Sequence, residues 1–199
     1  MRTYIRKINI LNIINSNDIL FVMLGGEKMK RKILVVSHCF LNDAAKLKFQ
    51  DPVAEAKERE KKRRFLMEML ENEIELIQLP CPEVNFYGTN RWGHVSEQFD
   101  TPFFKEQSRK LLLPVVRDLE EYSAYPDRFE ILGIYGINGS PSCGVDQTCS
   151  GEFGGAMQDR KRLEKELSSG KRVSKPGIFM QVFRDMLNER HLDIPFYGL

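Results

Sequence analysis

Apolar residues in this chain fall into short β-branched runs separated by longer amphipathic stretches. The run Ile33–Ser37 reads as a buried strand, and Glu75–Leu79 and Glu130–Tyr135 read the same way. Asp51-Pro52 has the form of a helix N-cap with proline at the first helical position. The helix it opens runs to about Asn72, with Val53, Phe65, Leu66, Met69 and Leu70 as a partial apolar stripe. Thr101-Pro102 opens a second helix that continues to about Tyr122, and Pro114 inside it predicts a kink. A glycine-rich stretch, Gly136–Gly155, follows the third strand. Asp159–Ser168 reads as a short charged helix. Pro176–Leu187 is a last helix with Phe179, Val182, Phe183, Met186 and Leu187 on one side, and Ile194–Tyr197 is a short final strand. Strands alternating with helices predict a single Rossmann-like or flavodoxin-like α/β domain. Its sheet is mostly parallel, with helices on both faces.

The chain has 199 residues, enough for one domain with a substantial core. Its hydrophobic and charged fractions, 42% and 29%, are those of a globular protein. A net charge of +2 supplies no broad basic field for nucleic acid. The run Lys57–Arg64 is densely charged, and as one turn-rich helix segment it reads as a solvated face. No apolar run is long enough to span a bilayer. Four cysteines in a chain of this length do not resemble a disulfide scaffold. The reading is a reducing cytoplasm with thiols free or metal-bound.

Residues 1–28 differ in character from the rest. They are rich in Ile and Asn, and no small-residue cleavage site follows them. The codons for Leu24-Gly-Gly-Glu27 can contain a purine-rich ribosome-binding sequence just before Met29. We therefore expect translation to start at Met29, with residues 1–28 a non-native or disordered extension and 29–199 the functional domain. Residues 29–199 carry 26 basic and 26 acidic groups, a net charge of zero.

Three cysteines each follow a strand-like run: Cys39, Cys81 and Cys143. Parallel strands end on one edge of a sheet, and ligands bind outside those carboxyl ends. Three thiols distant in sequence are thereby expected to meet, as a metal or cluster site with one open position requires. The spacing is unlike a zinc finger or ferredoxin, whose ligands come in close pairs, and cysteine is often a buried filler. The context favours a site, because Pro80-Cys81-Pro82 and Ser140-Pro-Ser-Cys-Gly144 fix the backbone and leave amides to point at sulfur.

Ser37-His-Cys-Phe-Leu-Asn42, Pro80-Cys-Pro-Glu83 and Gly139-Ser-Pro-Ser-Cys-Gly144 resemble the three cysteine motifs of the thiouracil desulfidases and their relatives. That family was long described as a domain of unknown function. The resemblance runs in order from about residue 31 to 197. It implies a small α/β domain in which Cys39, Cys81 and Cys143 hold a four-iron four-sulfur (4Fe-4S) cluster. The fourth iron is then free of protein ligands. The chain departs from the family pattern after the first cysteine, where Phe40-Leu-Asn-Asp-Ala-Ala-Lys46 replaces the usual substrate-side segment. It resembles a divergent branch, for which the cluster carries over better than the substrate.

On that resemblance a thiocarbonyl binds an exposed iron through sulfur, water attacks the carbon, and hydrosulfide leaves. Glu83 is the candidate for moving protons, with an N-cap or turn contact as its alternative. Ser140, as a catalytic partner of Glu83, and Ser142, as a substrate-binding residue, are candidates to hydrogen-bond substrate or sulfide, with shaping the turn as the alternative for both. Arg91, Trp92 and His94, with Tyr87, lie in the stretch between Pro82 and Thr101, which reads as a long loop. Arg91, Trp92 and His94 are placed to grip a planar thio-compound, or Trp92 to anchor the loop. His38, next to Cys39, is expected to pack on the opposite side of its strand. Cys149 is open between a fourth ligand, a sulfur relay and a passive thiol. The expected partner is a small thiolated compound, with neither nucleic acid nor membrane. The alternatives are a non-catalytic iron–sulfur or sulfur-carrier protein, and a plain α/β domain with structural cysteines.

Overall fold

The computed structural model describes residues 30–48 and 51–199. The expectations for the N-terminal extension lie outside the described residues.

Arg31–Val36 forms β1, buried from Ile33 through Val36. Asp51 caps α1, Pro52–Glu71, by accepting from the amides of Val53 (2.9 Å) and Ala54 (3.2 Å). Such a cap is worth about 1 kcal/mol. The chain then returns as β2, Ile74–Gln78. Two short helices follow, α2 at Pro82–Tyr87 and α3 at Ser96–Phe99. The stretch expected to be one long loop thus has a short helix at each end, and residues 88–95, with Arg91, Trp92 and His94, remain a loop between them. These helices are too short to leave a 3.6-residue period in the sequence.

Thr101 caps α4, Pro102–Ser123, by accepting from the Phe104 amide at 3.2 Å. The helix is continuous through Pro114. Phe129–Gly136 forms β3. The glycine-rich stretch contains a strand, β4 at Thr148–Ser150, that pairs antiparallel with β5 at Lys171–Val173. Between them lies α5, Arg160–Ser168, capped by Asp159. The last elements are α6, Ile178–Asn188, and β6, Phe196–Gly198.

The main sheet has strand order β2-β1-β3-β6, and every pair in it is parallel. This is a doubly wound, flavodoxin-like sheet. The chain moves outward from β1 to β2, then reverses across β1 to β3. Alternation along β1 feeds two cores, because successive side chains point to opposite faces. Val35 and Ile134 join Leu79, Phe99, Phe104, Leu112, Leu119, Phe179 and Phe183 under α4 and α6. Leu34, Val36 and Phe40 join Phe65, Met69 and Tyr135 under α1. Helices cover both faces, as the alternation of elements predicts. No helix among the described residues is long and apolar enough to cross a membrane.

The charged run on α1 is a solvated face apart from Lys62, which is 2% exposed. Its ammonium donates to the Cys39 carbonyl at 3.0 Å and pairs with Asp43. The helix therefore holds the turn that carries the first cysteine.

Candidate functional site

The reversal between β1 and β3 places three strand ends side by side. Hydrogen bonds lock them level, with Ser37 N donating to Tyr135 O at 2.9 Å and Leu79 N to Val36 O at 2.8 Å. Just beyond these bonds come the three cysteine turns. They line one cavity of about 360 Å³ at the carboxyl edge of the sheet. Such a switch point is where open α/β sheets bind ligands.

Cys39 lies in a 3-10 turn, His38–Phe40, pinned by the buried Phe40 ring against Phe65 and Tyr135. His38 lines the cavity and does not pack behind the sheet. Strand alternation ends at Val36, so it does not govern residues 38 and 39. Cys81 occupies the N-cap of α2, where the amides of Val84 and Glu83 face its sulfur. The loop of Cys143 is stapled on both sides. The Cys143 amide donates to Ser140 Oγ (3.0 Å), its carbonyl accepts from Ile137 N (3.0 Å), and Met180 N donates to Ser142 O (3.2 Å). Gly136 permits this approach, since a Cβ there would sit 2.2 Å from the Cys143 carbonyl oxygen.

The three thiols act on one another. Burial raises the Cys39 pKa to about 11, with Lys46 and Lys62 pulling it down and Cys81 pushing it up. Burial pushes Cys143 well above the ordinary thiol range, and Cys39 and Cys81 add to the shift. Cys81 is raised by burial too, against the pull of the Val84 amide. All three are protonated thiols near neutral pH in the metal-free protein, and a cationic guest would displace those protons.

Among the described residues, no three His, Cys, Asp or Glu side chains are spaced to hold a single metal ion. A tetrahedral ion bound at 2.3 Å would bring sulfurs to about 3.8 Å of each other. Three thiols lining one cavity supply the soft donors that thiophilic metals take.

Beside the thiols runs a buried polar chain. Ser142 Oγ donates to Glu83 Oε1 at 2.7 Å, and Arg91 Nε donates to Glu83 Oε2 at 3.1 Å. Arg91 also donates to the carbonyls of Ala45 (2.8 Å) and Gly88 (3.0 Å). Its guanidinium is thereby engaged on all sides and positions Glu83. Ser142 rather than Ser140 carries the hydroxyl that meets Glu83. Ser140 accepts the Cys143 amide and lies 3.3 Å from Ser142 Oγ.

His94 lines the cavity between the rings of Tyr87 (4.7 Å) and Phe99 (4.9 Å). Burial lowers its pKa, so it is neutral near pH 7, and its Nδ1 has no hydrogen-bond partner. Trp92 stands apart. It is 81% exposed and is not among the lining residues, so the cavity does not offer it for stacking. Cys149, on β4, lines the same cavity, yet its thiol responds to Glu97 and Arg172 rather than to the other three. Lys46, Lys62 and Arg172 were not legible as site residues. Lys62 sat inside a run that looked uniformly solvated, and Arg172 lies on a strand with no apolar pattern.

Residues 31–183 match the model of the family described as "putative 2-thiouracil desulfurase". The chain belongs to that family. The matched span takes in all three cysteine turns, Glu83, Arg91, Ser142 and most of the sheet. The chain is also similar to an uncharacterized protein of Methanocaldococcus jannaschii, at 32% identity over 117 residues. That alignment covers 58% of this chain and 69% of the relative. No solved structure matches.

Proposed function

We propose that this protein is a desulfidase that hydrolyses a thiocarbonyl in a small molecule of the thiouracil class, releasing hydrosulfide. One observation carries the reading: thiols from three separate strand ends and the Ser142–Glu83–Arg91 chain open on the same cavity. Membership of the 2-thiouracil desulfurase family supports the desulfurase activity. The reaction is redox-neutral, with water adding to the carbon, the carbon–sulfur bond breaking and a carbonyl forming.

Cys39, Cys81 and Cys143 are the residues that would hold a 4Fe-4S cluster. When bound, the cluster supplies a Lewis-acidic iron with affinity for the substrate's sulfur. The chain's own residues do the proton work. Arg91 fixes the Glu83 carboxylate through Oε2 and leaves Oε1 directed at Ser142. Ser142 passes its proton to Glu83 as it takes one from the attacking water, which makes Glu83 the general base through one hydroxyl. The same pair returns the proton to the departing sulfur. Ser140 holds the Cys143 turn and the Ser142 hydroxyl in place. His94 forms part of the cavity wall as a neutral ring packed between Tyr87 and Phe99.

The test is anaerobic reconstitution with iron and sulfide, followed by hydrosulfide release from a panel of thiocarbonyl compounds. Serine at Cys39, Cys81 or Cys143 is expected to abolish the brown chromophore and the release together. A wild-type protein that takes up no iron, or takes it up and releases no hydrosulfide from any thiocarbonyl, overturns the reading.

A further inference from the structure

Among the described residues three cationic side chains line the cavity, Lys46, Arg91 and Arg172, against one carboxylate, Glu83. Two of the three have partners. Arg91 is held by Glu83 and two carbonyls, and Lys46 pairs with Glu58. Arg172 is an exposed residue whose guanidinium forms no salt bridge or hydrogen bond among the described residues. Glu97, which acts on the same Cys149 thiol as Arg172, is satisfied elsewhere. It accepts from Ser150 Oγ (2.6 Å), Gly151 N (3.1 Å) and Lys175 Nζ (3.1 Å).

The Arg172 guanidinium is nonetheless placed. Its residue pairs with Cys149 across the β4–β5 ribbon. Its head lies over Gly139, where a Cβ would sit 3.2 Å from Nε and 3.4 Å from Cζ. Gly139 has φ +87°, so a side chain is disfavoured there on backbone grounds as well. The bare glycine leaves the guanidinium room against the turn that carries Ser140 and Cys143.

We propose that Arg172 is a substrate-anchoring residue that binds a carboxylate carried by the substrate in addition to its thiocarbonyl. This rests on the desulfidase reading for the sulfur-bearing end and names the substrate's other end. A single guanidinium offers a planar fork that matches the two oxygens of a carboxylate. A phosphate dianion would call for a second free cation, and the lining supplies none among the described residues. The volume, about 360 Å³ and shared with whatever the thiols hold, suits a ring with a short acidic substituent better than a nucleotide.

Binding of sulfur-free probes separates this from the chemistry. Uracil, 6-carboxyuracil and uridine 5′-monophosphate are titrated into the full chain by calorimetry, before and after reconstitution with iron and sulfide. The wild type is expected to bind 6-carboxyuracil at least tenfold more tightly than uracil. Arg172→Gln should abolish that ratio, Arg172→Lys should keep part of it, and Arg172→Glu should invert it. Near-ultraviolet circular dichroism of each variant checks that the fold is retained. The proposal is overturned if the wild type shows no preference for the carboxylated ring. It is equally overturned if the preference survives Arg172→Gln, or if only the phosphate ester gains affinity. Failure of hydrosulfide release with the preference intact would instead count against the desulfidase reading alone.

Discussion

Two side chains divide the labour at the centre of the cavity. In the proposed reaction Glu83 acts through Ser142, while among the described residues Arg91 hydrogen-bonds only Glu83 and the carbonyls of Gly88 and Ala45. Their variants should fail in different ways. Glu83→Gln preserves shape and the Ser142 contact but removes the base. Hydrosulfide release should fall by about 10²- to 10⁴-fold, with iron and sulfide content unchanged by colorimetric assay. Arg91→Ala leaves the 8%-exposed Glu83 without its counter-charge. Denaturant unfolding should show a loss of about 3 kcal/mol or more. The double change Arg91→Ala with Glu83→Gln should recover part of that stability, because no uncompensated charge is then buried. Sequence reasoning singled out Glu83 from its position two residues past Cys81, and the three cysteines from their place after strands. It set Ser140 beside Glu83 and Ser142 with the substrate, whereas in the folded loop Ser142 is the hydroxyl that meets Glu83; both lie in one turn, and only the folded loop decides which one reaches it.

The elements that were legible are those with a period or a punctuation mark. Asp51-Pro52 and Thr101-Pro102 announce α1 and α4, and the β-branched runs announce β1, β2 and β3. The β4–β5 ribbon was not legible, because strands of three residues with mixed polarity carry no alternation to count. That ribbon brings Cys149 and Arg172 to the cavity, and Glu97 of α3 ties it down. Hydrogen bonds from Ser150, Gly151 and Lys175 outweigh burial and hold the Glu97 carboxyl at a pKa of about 2, against an ordinary 4.5. A depressed folded-state pKa contributes stability above the unfolded value and loses it as pH falls through the folded one. The Glu97 contribution is therefore complete above about pH 5 and fades toward about pH 2. Between about pH 5 and 3 the urea midpoint of the wild type should fall more steeply than that of Glu97→Gln. Parallel slopes would remove Glu97 as the ribbon's anchor.

At the scale of the whole molecule, the strand order decides which distant segments become neighbours. Cys149, only six positions past Cys143, stands electrostatically apart from it, whereas Cys39 and Cys81 act on Cys143 from far along the chain. Cys149→Ser should accordingly retain nearly all reconstituted iron, while serine at any of the other three should lose most of it. If Cys149→Ser loses iron as completely, the site is closed by four thiols, and a carrier replaces the enzyme. The reversal of the sheet across β1 has a mechanical consequence too. A guest held by Cys39, Cys81 and Cys143 would tie together segments that span about half the chain. It would work as a clasp on the unfolded ensemble. Closing a loop of about 100 residues is worth up to about 4–5 kcal/mol in the chain-entropy picture. Loaded protein should unfold at a higher urea midpoint than metal-free protein. An iron chelator should then strip the site and bring the urea midpoint back to that of the metal-free protein.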